Sequence, residues 1–75
     1  MADKQLDTIG LNCPLPILKT KKALKELPIG GTLEVLASDQ GMVSDIAAFC
    51  RTTGSGLVES SRDGNIFRFV IRNNG

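Results

Sequence analysis

"GLNCPLPILKTKKALKELPIGGTLEVLA", residues 10–37, holds a helix between two changes of period. From Pro14 to Leu27 the apolar positions Pro16, Ile17, Thr20, Ala23, Leu24 and Leu27 recur at helical spacing and share one side. Proline lacks an N–H and has a φ already near helical, so it is tolerated in a first turn and nowhere later. With Cys13 as N-cap, Pro14 becomes the first helical position and Pro16 the third, which pins the helix start at the cysteine. Residues 28–31, "PIGG", end the helix, and residues 32–37, "TLEVLA", alternate with Leu33, Val35 and Ala37 on one face as a strand does.

Working outward, residues 5–9, "QLDTI", form a short strand ahead of Gly10. A strand, helix and strand in this order make a parallel pair with a right-handed crossover. Ser38 and Asp39 are N-cap candidates for a second helix from about Gly41 to Thr53, with Val43, Ile46, Ala47 and Cys50 as its apolar stripe and Gly54 as its stop. Residues 57–61 and 66–72 flank Asp63-Gly64, a hairpin turn signal. In the last strand Phe67, Phe69 and Ile71 face one way, and Arg68 and Arg72 form a solvated face. The expected fold is α+β: a single domain over residues 1–75, β-α-β-α-β-β, a two-layer sandwich with a four-stranded mixed sheet and both helices on one face. Both helices then begin beyond the carboxyl ends of the parallel strands, where open α/β sheets bind ligands, so Cys13 and Ser38-Asp39 share that edge. Cys50 falls toward the opposite edge, which argues against a Cys13–Cys50 disulfide.

Composition removes several function classes. Nine basic against eight acidic residues leave a net charge of +1, and the aromatics are three phenylalanines, so direct nucleic-acid binding is not expected. No apolar run reaches the ~20 residues of a membrane span, and "MADKQLD" lacks a secretory segment, so the expected location is the cytoplasm. There is no histidine, which excludes Ser–His and Cys–His pairs, and two cysteines without a C-x-x-C spacing make neither a metal site nor a thioredoxin-type switch.

Attention therefore falls on Cys13. A helix N-terminus carries roughly half a positive charge and stabilises a thiolate, the reactive form of the thiol. The two prolines remove donors and leave the N–H groups of Cys13, Leu15 and Ile17 to face a sulfur anion, so the expected pKa depression is moderate. The plainer reading makes Cys13 a small apolar residue at a turn; its position at a rigid helix start favours chemistry. Leu15 and Leu18 lie on the polar side of this helix beside Lys19, Lys21, Lys22 and Lys25. Such a face is either simply solvated or a docking patch for an acidic partner. Cys50, in the middle of an apolar stripe, reads as core.

"LDTIGLNCPLPILKTKKAL", with "GGTLEVLASDQG", "DIAAFC" and the closing "FRFVIR", resembles the TusA (SirA-like, YedF-like) family of small sulfur carriers over nearly the whole chain. The resemblance carries most weight in the C-P-x-P motif at Cys13-Pro14-Leu15-Pro16. It implies the same two-layer fold and a cysteine, here Cys13 supported by Pro14 and Pro16, that carries sulfur as a persulfide. The donor would be a cysteine desulfurase or a rhodanese-type protein and the receiver an acceptor protein, with no cofactor beyond the covalent sulfur. One departure stands out: the family commonly has Asp-Pro after the second strand, whereas Asp39 is followed by Gln40, so the aspartate carries over without the rigidity of that proline. Within the family, "CPLPILKTKK" is more similar to members associated with sulfur oxidation than to those serving tRNA thiolation.

The expected chemistry is persulfide exchange by a monomer, a relay rather than a turnover enzyme, which needs no general base. A rival from another class is a regulatory module without sulfur chemistry, docking through Leu15, Leu18 and the helix-one lysines. A thiol-redox protein is disfavoured by the missing resolving cysteine.

Overall fold

The computed structural model describes residues 3–12 and 14–74. Its elements are β1 (Lys4–Thr8), α1 (Leu15–Lys25), β2 (Thr32–Ala37), α2 (Met42–Thr53), β3 (Gly56–Asp63) and β4 (Ile66–Arg72). The strands form one sheet in the order β1-β2-β4-β3, with β1 parallel to β2 and the other pairs antiparallel. Both helices cover one face, as the periodicity predicts.

The two central strands supply the sheet side of the core: Leu33, Val35 and Ala37 from β2, and Phe67, Phe69 and Ile71 from β4. Ala23 and Leu24 of α1, and Met42, Ile46 and Cys50 of α2, close it from above. A buried phenylalanine or leucine contributes about 2 kcal/mol, against at most ~1 kcal/mol for an exposed ion pair. The fold is therefore held on its helix side.

Five expectations are corrected. β1 spans Lys4–Thr8 rather than 5–9, because the Asp7 carboxylate accepts from the Ile9 N–H (2.9 Å) and the Thr8 carbonyl from the Leu11 N–H (3.1 Å), which turns the chain out of the sheet. The buried face of α2 is rotated by one position. Met42, Ile46 and Cys50 are buried and Phe49 packs against the core, whereas Val43 and Ala47 are exposed. "MVSDIAAFC" contains two overlapping stripes, and the one with the larger apolar area, Met and Phe, is the one that is covered. The hairpin turns at Gly64-Asn65, not Asp63-Gly64, since Asp63 pairs with Ile66. Gly64 has φ +61° and Asn65 a negative φ, the signs of a type II′ turn with glycine first. β3 also reaches further than residues 57–61 and takes a bulge between Leu57 and Glu59.

Arg68 is the fifth correction. It lies on the open face but is held by Glu34, through its Nε, and by Glu59, through Nη1 at 2.9 Å. The Arg68 guanidinium, with the Gln5 amide, keeps the Glu34 carboxyl below the usual carboxylate range.

Candidate functional site: the edge where both helices begin

The parallel β1–β2 pair sends both following loops out at one edge. There the Gly10 N–H donates to Ser38 Oγ (2.8 Å), tying the loop after β1 to the loop after β2. Just inside, Thr8 is fully buried and its hydroxyl donates to the Leu36 carbonyl (2.6 Å). Gly10 has φ +87°, a backbone that side-chain-bearing residues rarely adopt, and the chain then turns toward α1.

α1 starts one residue later than its periodicity predicts. Pro14 occupies the N-cap place (φ −97°, ψ 10°), and Pro16 falls in the first turn. The Leu15 N–H is taken by the Asn12 carbonyl (3.0 Å), so it is not one of the donors left for an anion. The two prolines do separate work: Pro14 is exposed and sets the cap, whereas Pro16 is fully buried and fastens the first turn to the core. The N-cap place expected for Cys13 is thus taken by Pro14, and the expectations for the Cys13 pKa and its separation from Cys50 lie outside the described residues.

Neither Ser38 nor Asp39 is the N-cap of α2; Gly41 is. Asp39 acts one turn earlier, where its Oδ1 accepts from the Gly41 N–H (3.0 Å) and its carbonyl from the Met42 N–H (3.0 Å). The carboxylate thus orders a turn that Gln40, unlike a proline, does not stiffen.

Along α1, Leu15 and Leu18 are exposed (47% and 55%), and Lys19, Lys21, Lys22 and Lys25 surround them. The patch expected from the sequence is therefore on the surface and runs from the start of α1 along its outer side. Cys50 is buried, and that burial pushes its thiol pKa up, away from the reactive thiolate. Two features escaped the sequence. Asn73 donates to the Leu24 and Leu27 carbonyls (3.3 and 2.9 Å) and Asn74 to the Gly54 carbonyl (3.1 Å), so adjacent asparagines close the C-terminal ends of both helices. A cavity at the far end of the helix layer brings together Leu24, Ile29 and Phe49 from three segments. No helix among the described residues is long and apolar enough to cross a membrane.

A small two-layer α+β domain with a C-P-x-P motif at its first strand-to-helix junction and a second thiol withdrawn into the core defines a class of single-thiol carriers. Comparison with known proteins makes the class specific. The family model described as sulfurtransferase TusA matches residues 4–73. The sulfur carrier protein TusA of Allochromatium vinosum is 49% identical over 70 residues, covering 93% of this chain and 92% of that protein. The crystal structure of a SirA-like protein from Desulfitobacterium hafniense superposes with a TM-score of 0.83 at 26% identity, over 96% of this chain and 99% of that one. The chain belongs to the TusA family, whose role is to carry sulfur between a protein that gives it and a protein that takes it.

Proposed function

We propose that Cys13 carries the sulfur, as a persulfide received from a cysteine desulfurase or a rhodanese-type donor and passed to an acceptor protein. The observation that carries this reading is the Cys13-Pro14-Leu15-Pro16 motif at the β1–α1 junction, inside the family match over residues 4–73. The burial of the second thiol, Cys50, supports it by leaving no rival nucleophile at hand.

In the loading step the Cys13 thiolate attacks the outer, sulfane sulfur of the donor's R–S–SH. The new Cys13–S bond forms as the donor's S–S bond breaks, and the donor leaves as its thiolate, R–S⁻. The proton of the persulfide stays with the transferred sulfur or is lost to water, so no external oxidant or reductant enters. Delivery repeats the exchange: an acceptor nucleophile takes the outer sulfur and Cys13 leaves as thiolate. Rates in such exchanges follow thiolate fraction and access. Pro14 and Pro16 hold the helix start against fraying, Asp39 orders the neighbouring turn, and Leu15, Leu18, Lys19, Lys21 and Lys22 offer an apolar and basic surface to donor and acceptor. No dissociable cofactor takes part. Among tRNA 2-thiolation, molybdenum cofactor supply and sulfur oxidation, the similarity of "CPLPILKTKK" to sulfur-oxidation members favours the last.

Incubation with a cysteine desulfurase and cysteine, followed by intact-mass measurement, should add one sulfur atom to the wild type and none to Cys13→Ser. Gain of sulfur at Cys50 in Cys13→Ser would refute the assignment.

A further inference from the structure

The seam between α1 and α2 is not closed by packing. At its far end lies a cavity of about 390 Å³ lined by Leu24 and Phe49, with Ile29, Lys21 and Lys25 at its rim. A second, of about 360 Å³, lies nearer the helix starts, between Ile17 and Asp45. The two share Lys21, Phe49 and Thr53, so they form one trough along the seam. From Ile17 to Lys25 the trough runs about 12 Å along α1, at ~1.5 Å per residue, and Ile29 extends it further. That length is two or more helical turns, which suits a chain segment better than a compact ligand.

The trough also has polarity. Lys25 rims its far part and Lys21, common to both cavities, its middle, and among the described residues neither makes an ion pair. The carboxylate on the seam, Asp45, stands at the opposite end. Ile29, 77% exposed, is the most exposed large apolar side chain among the described residues and stands beside the unpaired lysines. Apolar floor, basic rim at one end and acidic residue at the other are complementary to a short segment with bulky apolar side chains and glutamates or aspartates toward its Lys25 end.

We infer that the α1–α2 trough is a docking groove for an acidic–apolar segment of a partner protein. Its centre, at Leu24, Phe49 and Ile29, lies at the opposite end of α1 from the C-P-x-P motif. A partner tethered there leaves the motif-bearing edge open, so one protein is held while sulfur passes at another place. The inference is independent of the sulfur-carrier reading: it concerns binding, and its readouts use no sulfur chemistry.

The test is selection from a phage-displayed random peptide library on the folded Cys13→Ser protein. The enriched sequences should combine bulky apolar and acidic residues. The synthesised best binder, followed by fluorescence anisotropy, should lose at least about tenfold in affinity on Lys21→Glu with Lys25→Glu, and similarly on Ile29→Asp, all surface positions that leave the core intact. Its binding should shift the amide signals of Leu24, Phe49 and Asn73 and leave those of Asn12 and Leu15 in place. Failure to enrich any sequence, enrichment without acidic residues, affinity unchanged by the charge reversals, or shifts confined to residues 12–18 would overturn the proposal. So would binding to phosphatidylglycerol vesicles that the same substitutions abolish while no peptide is selected, which would make the trough a membrane-facing surface. A wild-type protein that binds the peptide yet never acquires sulfur would sink only the sulfur reading, and the reverse result only this one.

Discussion

Where the helices begin, the polar ties are few and set by turn chemistry: Gly10 to Ser38 Oγ across two loops, Asp39 to its own Gly41, and Leu15 to Asn12. Where they end, the ties reach across the whole chain. The Asn73 side chain holds the last carbonyls of α1, 46 and 49 positions away in sequence, and its backbone exchanges hydrogen bonds with Gly30 and Gly31 (2.6 and 2.9 Å). Asn74 does the same for α2 at Gly54. The far edge is thus clasped by the side-chain amides of two C-terminal asparagines, and the near edge by one loop-to-loop tie and two turn bonds. The clasp ties the ends of both helices to the residues that follow β4.

This contrast is open to test, beginning with the clasp. Asn73→Ala removes donors from two partly buried carbonyls and should cost about 2 kcal/mol. In a domain this small that lowers Tm by roughly 10 °C in thermal unfolding. A loss no larger than that of an average surface substitution would show that the far edge is held by apolar packing alone. Gly54→Ala comes next. Gly54 has φ +76° with nothing near its absent Cβ, so the cost is conformational only, about 1.5 kcal/mol, and should appear as faster α2 unfolding in hydrogen exchange.

Ser38→Ala, at the other edge, removes one exposed hydrogen bond. Its global cost should stay below about 1 kcal/mol, while exchange of the Gly10 amide rises locally. An effect equal to that of Asn73→Ala would erase the distinction between the edges.

The smallest effect belongs to the open face. Glu34 has its pKa lowered in the fold, so the stability it contributes is present above its ordinary value of 4.5 and is lost as pH falls through the folded value. The Tm gap between wild type and Glu34→Gln should therefore be present at neutral pH and close on acidification. A gap that widened in acid would contradict the Glu34–Arg68 pairing as its source. Cys50 runs the opposite way: its raised pKa keeps the thiol neutral, so alkylation of the native protein should leave Cys50 unmodified until denaturant is added.

The central strands were legible to the residue: β2 and β4 show clean alternation over Leu33-Val35-Ala37 and Phe67-Phe69-Ile71, and both bounds agree. β1 and β3 are edge strands with one neighbour each, so the turn at Asp7 decides where β1 stops, and β3 follows its pairing with β4 through a bulge after Leu57 up to the hairpin turn. The proline pair announced the start of α1 to within one residue, because proline chemistry is local. The face of α2 did not follow from spacing, since Met42 with Phe49 and Val43 with Ala47 fit the same period and only the sheet below chooses between them. Nor could any pattern in the chain reveal the trough or the asparagine clasp. Residues 24, 29, 49 and 73 come together through tertiary packing, and a polar "NN" after a strand carries no signal of its own.

That clasp has a consequence for how the protein is made. On a ribosome β1, α1, β2 and α2 emerge well before residues 73 and 74, and β4, which sits between β2 and β3, emerges only just ahead of them. Until then β2 lacks its second neighbour, and Leu33, Val35, Met42 and Ile46 have no Phe69 to pack on. High separation between contacting residues slows folding. The apolar face of β2 and α2 is thus completed only once β4 has been made.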